Sequence, residues 1–148
     1  MIDGVMVNTE SGGNLISIQK FEDFKLHVEF RYPAGSNSGT YLRGRHELQI
    51  EDSKGRTDEV SIGGIYGFIA PAVYAANAPG EWQTYDVTLV GRHVTVLLNG
   101  REIISNRPIP GITGGSVDSK EGEPGSFQIQ GDHGPVEFRT STVTPAVN

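Results

Sequence analysis

Residues 40–52 read TYLRGRHELQIED, and their periodicity decides the fold class. Successive side chains of a β-strand point to opposite faces. Taken as one strand, the stretch puts Leu42, Gly44, His46, Leu48 and Ile50 on one face. Tyr41, Arg43, Arg45, Glu47, Gln49 and Glu51 fall on the other. The first face is mostly apolar and suits a core. The second carries two guanidiniums, two carboxylates and an amide. Side chains at i and i+2 stand about 7 Å apart on a pleated strand, a spacing at which several can grip one polar ligand. A solvated outer strand also alternates charges, but Lys, Thr and Ser would serve there. This mix of Arg, Glu and Gln is less usual for a merely solvated face.

The same period runs outward from this stretch. In residues 24–32, Phe24, Leu26, Val28, Phe30 and Tyr32 alternate with Lys25, His27, Glu29 and Arg31. That pattern predicts a half-buried antiparallel strand. Residues 2–8, 15–17, 81–90, 92–98, 101–105, 126–130 and 135–143 read as further strands. Asn99-Gly100 is a type I′ hairpin signal. Phe127 and Ile129 are expected inward, and Gln128 and Gln130 on the opposite face. Residues 57–80 and 107–125 read as long loops, with one helical turn allowed at 71–78. Twenty glycines and eight prolines punctuate the chain, and there is no heptad, amphipathic helix or internal repeat. About ten short strands predict an all-β domain over residues 1–148, a sandwich of two antiparallel sheets. Its core is expected to hold Phe24, Leu26, Val28, Phe30, Leu48, Ile50, Val94, Val96, Phe127, Ile129, Val136 and Phe138.

Composition removes several function classes. With 148 residues the chain can build one sizeable core. A net charge of −6, a pI near 5.1 and no Lys/Arg-rich run argue against nucleic acid as a partner. The absence of cysteine excludes disulfides and thiolate metal sites. No apolar run approaches the ~20 residues of a membrane span. The opening MIDGVMVNTESGG has neither a basic n-region nor a long apolar h-region. A periplasmic or secreted location would therefore imply a leader already removed. Nucleotide-binding, GxSxG and HExxH motifs are missing.

The remaining polar clusters point to carbohydrate chemistry. Glu47, Gln49 and Glu51 are similar to the acid-x-acid-x-acid line of sandwich-fold glucanases. A retaining glycosidase needs two carboxyls about 5–5.5 Å apart, and a laminarinase-like reading would use Glu47 and Glu51. Here the central position is Gln49. The structural alternative is a salt-bridge ladder of these carboxylates with Arg43 and Arg45. His133, after Asp132 in a glycine-flanked turn, is a base or metal-ligand candidate or else a plain turn residue. Trp82 fits core packing or sugar stacking.

Five segments together resemble the 3-keto-disaccharide hydrolase family. They are NSGTYLRGRHELQIEDS (37–53), GGIYGFIAP (63–71), PGEWQTYDVTLVGRHVTVLLNG (79–100), IPGITGG (109–115) and QGDHGPVEFR (130–139). The resemblance implies a concanavalin A-like jelly-roll sandwich. The family usually begins earlier, with a strand bearing a Phe-Asn-Gly-type turn and a Trp, and this sequence has no counterpart of that segment. The resemblance also implies cleavage of a glycosidic bond beside a sugar oxidised at C3, in an oxidised glucoside or disaccharide. A C3 ketone acidifies the C2 proton, so a base can remove it and the enolate can expel the C1 oxygen. That requires a base, a cation or donors for the enolate, and an acid for the leaving group.

On this reading Glu47 is the base, Arg45 the cation and His133 the acid. Arg43, Gln49, Gln128 and Gln130 complete one concave pocket, with Tyr66 and residues 57–80 at its rim. A divalent metal held by Glu and His side chains would serve in place of the arginines. A noncatalytic, lectin-like module on the same fold is the alternative.

Overall fold

Residues Phe24–Arg31 alternate buried and part-exposed side chains along their whole length, as a strand must when one face meets a core. In the computed structural model, which describes residues 6–8, 15–116, 118–130 and 135–145, this strand is one of ten. In chain order they are β1 (Met6–Asn8), β2 (Leu15–Phe21), β3 (Phe24–Arg31), β4 (Asn37–Leu42) and β5 (His46–Glu51). Then come β6 (Gln83–Val90), β7 (His93–Leu98), β8 (Arg101–Pro108), β9 (Gly125–Ile129) and β10 (Val136–Pro145). One antiparallel sheet has the order β1-β10-β3-β6-β7-β8 and the other β2-β9-β4-β5. No helix is found among the described residues. Residues 71–78 are irregular rather than one helical turn. Ala72 N is drawn to Ile103 O (2.8 Å) and Asn77 N to the Gln83 side chain (2.8 Å), so both amides bond outside the segment.

The two sheets enclose one apolar core. Phe24, Leu26, Val28 and Phe30 of β3 are buried with Leu48 and Ile50 of β5 and Val94 and Val96 of β7. Ile129, Val136 and Phe138 join them, while Phe127 packs half-buried against the cluster. The Tyr85 hydroxyl of β6 crosses the sandwich and donates to the Gln49 carbonyl at 2.5 Å. A buried backbone acceptor of the small sheet is thus held from the large one. Trp82 is neither core nor an open stacking platform. It lies half-buried with the guanidiniums of Arg31 and Arg139 at 4.7 and 4.3 Å from its ring.

Residues 40–52 are not one strand but a hairpin. Leu42 pairs with His46, and Arg43, Gly44 and Arg45 make the reversal between them. Arg43 (φ 53°) and Gly44 (φ 65°) take left-handed backbone, easy for glycine and costly for arginine. The arginine side chain compensates. Its Nε donates to Glu22 O (2.5 Å), Nη1 to Gly91 O (2.7 Å) and Nη2 to Asp23 Oδ1 (3.1 Å). One buried guanidinium therefore joins the β4–β5, β2–β3 and β6–β7 turns at one end of the sandwich. Arg43→Ala is expected to destabilise the fold by about 3 kcal/mol, the low end for breaking a buried ion pair, because Asp23 keeps part of its surface in water. Arg43→Lys should recover little of this, since an ammonium cannot span three acceptors. Urea unfolding measures both, and a loss under about 1 kcal/mol would mean other contacts hold the turns.

His46 opens β5 fully buried, with Nδ1 3.0 Å from Gly111 O. A carbonyl only accepts, so Nδ1 carries the proton. Burial pulls its pKa below the ordinary 6.5, more strongly than the Gly111 bond raises it. The unfolded chain then binds the extra proton first as pH falls. Stability from this group is complete above pH 6.5 and declines as pH drops from there through the folded pKa. An NMR titration of the His46 ring should show a midpoint below 6.5, and a midpoint above it would contradict the burial argument.

Candidate functional site

Strand register builds the site. Tyr41 of β4 lies opposite Gln128 of β9 on one side and Glu47 of β5 on the other. Beyond β5, Leu48 bridges Ile65, and Tyr66 N donates to Glu47 O at 3.0 Å. Directly opposed residues share a face, so Gln128, Tyr41, Glu47 and Tyr66 form a row across about 14 Å of sheet. The next row runs Gln130, Gly39, Gln49, Gly64. It is set by Gln130 N to Gly39 O (2.9 Å), the Gly39–Gln49 pair and Gln49 N to Gly64 O (3.0 Å). Both rows lie on the face of the small sheet turned away from Leu42, Leu48 and Ile50.

These polar side chains are buried, apart from Tyr66, which is 41% exposed at the end of its row. A Cβ on Gly39 would stand 2.5 Å from Glu47 Oε1. The missing side chain therefore lets the Glu47 carboxylate lie over the second row. Glu47 is held firmly. Its N donates to Thr113 Oγ1 (2.9 Å), and its Oε2 accepts from the Tyr41 hydroxyl (3.2 Å). That hydroxyl also faces Gly114 O at 2.9 Å. The Oε1 atoms of Gln49, Gln128 and Gln130 are buried without a hydrogen-bond partner among the described residues. An unpaired buried amide oxygen costs about 1–3 kcal/mol. Three on one face mark a surface built for hydrogen bonds from outside the chain.

The arginines stand elsewhere. Alternation along a single strand would have placed Arg43 and Arg45 beside Glu47, but both fall in the hairpin turn. Arg43 is occupied by the neighbouring turns. Arg45, 1% exposed, donates from Nε to Asp118 Oδ1 (2.7 Å) and from Nη1 to Glu123 O (2.6 Å). Thr113 N donates to Arg45 O at 2.9 Å. Arg45 thus fastens the segment before β9 over the turn, and its bond holds the Asp118 pKa below the usual carboxylate value. The alternative, a ladder of Glu47 and Glu51 with these arginines, does not form: both guanidiniums are bonded elsewhere. Glu51 Oε2 instead accepts from Ser53 Oγ (2.9 Å) and Arg56 Nη2 (2.8 Å). Four residues of strand separate Glu47 from Glu51 by about 13 Å, too far for a retaining pair.

Gln49, Gln128 and Gln130 do share a face with Glu47, and Tyr66 stands at its edge. His133 and Asp132 lie outside the described residues. Tyr41 and Gly39 were not legible as site residues. The signal for both was Gly44 as a hairpin centre, which sets Tyr41 opposite Glu47 and Gly39 opposite Gln49.

Among the described residues no group of three or more His, Asp or Glu side chains could hold a metal ion. Nor is any helix there long and apolar enough to cross a membrane. A cavity of about 370 Å³ lies at the turn end, lined by Glu22, Asp23, Arg43, Gly91, Arg92 and Glu121 to Glu123. Its charges pair among themselves, Arg43 with Asp23 and Arg92 with Glu121. The Oε1 atoms of the small sheet's buried amides have no partner among the described residues, and they mark the candidate site.

Over residues 1–144 the sequence matches the family of 3-keto-alpha-glucoside-1,2-lyase-like domains. The chain belongs to that family. The match agrees with the resemblance carried by the five motifs, and it makes this lyase-like domain a carbohydrate-active, glycosyl-hydrolase-like protein. No curated protein sequence matches it. Among solved structures it is similar to a candidate glycosyl hydrolase from Parabacteroides distasonis, with 29% identity and a TM-score of 0.83 over 97% of this chain and 72% of that one. A carbohydrate-binding module from Bacillus subtilis shares the fold, with 13% identity and a TM-score of 0.56 over 95% and 94% of the two chains. So does a galectin from Caenorhabditis elegans, at 10% and 0.53 over 97% and 98%. The lyase-like domain is accordingly a concanavalin A-like jelly roll of two antiparallel sheets.

Proposed function

We propose that this domain cleaves the glycosidic bond of a sugar bearing a ketone at C3. The observation that carries the reading is a held carboxylate, Glu47, in a row with a phenol and an amide and next to two more amides. Family membership supports the substrate class. Glu47 takes the C2 proton, and the C–H electron pair moves to the C3 oxygen as an enolate. The Gln128 and Gln130 amides can turn N–H groups toward that oxygen, because no hydrogen bond with the described residues fixes which way they face. Collapse of the enolate forms the C1–C2 double bond and breaks C1–O. The departing oxygen takes a proton from an acid. His133, three residues beyond Gln130 in the chain, is assigned that role from the sequence alone. Water adding across the double bond would complete a net hydrolysis.

Arg43 and Arg45 have no part in this scheme, since both are spent on the turns. The test is product formation from a 3-keto-disaccharide beside its unoxidised parent. Elimination requires the ketone, so only the oxidised sugar should yield products. Equal cleavage of both would overturn the reading. Binding of sugars with no cleavage of either would leave the lectin-like alternative.

A further inference from the structure

The three amides of the site are not equivalent. Among the described residues, Gln49 is the one whose side chain is fixed by a hydrogen bond, from Nε2 to Val60 O at 3.1 Å. Its backbone is fixed as well. Gln49 N donates to Gly64 O (3.0 Å), and its carbonyl accepts from Gly63 N (3.2 Å) and the Tyr85 hydroxyl (2.5 Å). Val60 sits in a tight turn closed by Val60 N to Asp58 Oδ1 (3.2 Å) and Ser61 Oγ to the same oxygen (2.6 Å). Ile62 N to Ser53 Oγ (2.8 Å) pins the next residue. Rotating the Gln49 amide would set its oxygen against the Val60 carbonyl, acceptor against acceptor. With Nε2 committed to Val60, Oε1 is the amide atom left over, buried and without a partner among the described residues.

An oxygen fixed in this way accepts and never donates. A ketone oxygen, itself an acceptor, cannot bond to it; a ring hydroxyl can. We propose that Gln49 is a specificity-determining residue that takes one hydroxyl of the sugar as donor. It thereby turns the C3 ketone toward Gln128 and Gln130, whose amides can present N–H. This rests on the carbohydrate reading above and adds which chemical group each end of the face selects.

The probe is 1,5-anhydro-3-keto-glucitol, which has no exocyclic leaving group at C1 and so no glycosidic bond to cleave. Its affinity, and that of its 2-, 4- and 6-deoxy derivatives, is measured by calorimetry on the wild-type protein and Gln49→Met. One derivative should bind wild type at least about tenfold more weakly than the parent sugar, the loss expected for one well-made hydrogen bond. Gln49→Met should bring the parent sugar down to that derivative's affinity and leave the derivative unchanged. If wild type binds the parent sugar and all three derivatives alike, or if Gln49→Met still discriminates, the inference is overturned and the carbohydrate reading stands. Wild type that binds none of these sugars overturns both. Should Gln49→Met fail to fold, the derivative series on wild type alone decides.

Discussion

Glu47→Gln lowers the turnover of a 3-keto-disaccharide by about 10²–10⁴-fold, the usual contribution of a general base. The substitution keeps the size of the side chain and an oxygen that can accept from the Tyr41 hydroxyl. The backbone bonds to Thr113 and Tyr66 do not depend on the side chain. Thermal unfolding should show a folded, cooperative variant, because the change opens no cavity. The loss should appear in kcat more than in KM, because an amide can still contact the sugar but cannot take its C2 proton. Cleavage that persists at parental rates in Glu47→Gln removes Glu47 as the base, and the enolate scheme would then need another group.

Phe30→Ala destabilises the fold by about 3–5 kcal/mol, the cost of emptying a buried aromatic site. Phe30 is wholly buried. Its ring centroid lies 4.8 Å from that of Tyr85, 6.3 Å from Tyr32 and 6.5 Å from Phe138. Truncation removes the shared centre of three ring contacts, and strands on either side limit collapse into the space. Tyr85 is the residue whose hydroxyl holds the Gln49 carbonyl, so the loss is felt beneath the polar face as well. Urea unfolding gives the magnitude. A variant that melts within a degree of the parent would place Phe30 outside the core.

Much of this architecture was legible because it depends on near neighbours. Period-two alternation needs nothing beyond the chain itself. It placed β3 and eleven of the twelve expected core residues where the structure has them buried, with Phe127 half-buried. It also set Gln128 and Gln130 opposite Ile129. The odd-length turn at Arg43-Gly44-Arg45 explains a partial success. Reversing the chain through three residues keeps Tyr41, Glu47 and Gln49 on one face, as a straight strand would. The reading was therefore right for those three and wrong for the two arginines.

Where the arginines point could not be read locally. Their partners, Glu22, Asp23, Gly91, Asp118 and Glu123, are remote in the chain and approach only once the sheets have closed. Burial then forces each guanidinium to find every acceptor it can, because an unpaired charge away from water is too costly to keep. The same holds for Gln49. Its residue type announces an amide, but which atom it offers the site is settled by the Val60 carbonyl and by a tyrosine from the opposite sheet. Strand periodicity and side-chain chemistry, carried in the order of the residues, were enough for a β-sandwich with a polar face. Which polar atoms stay unpaired on that face depended on contacts between segments far apart in the chain.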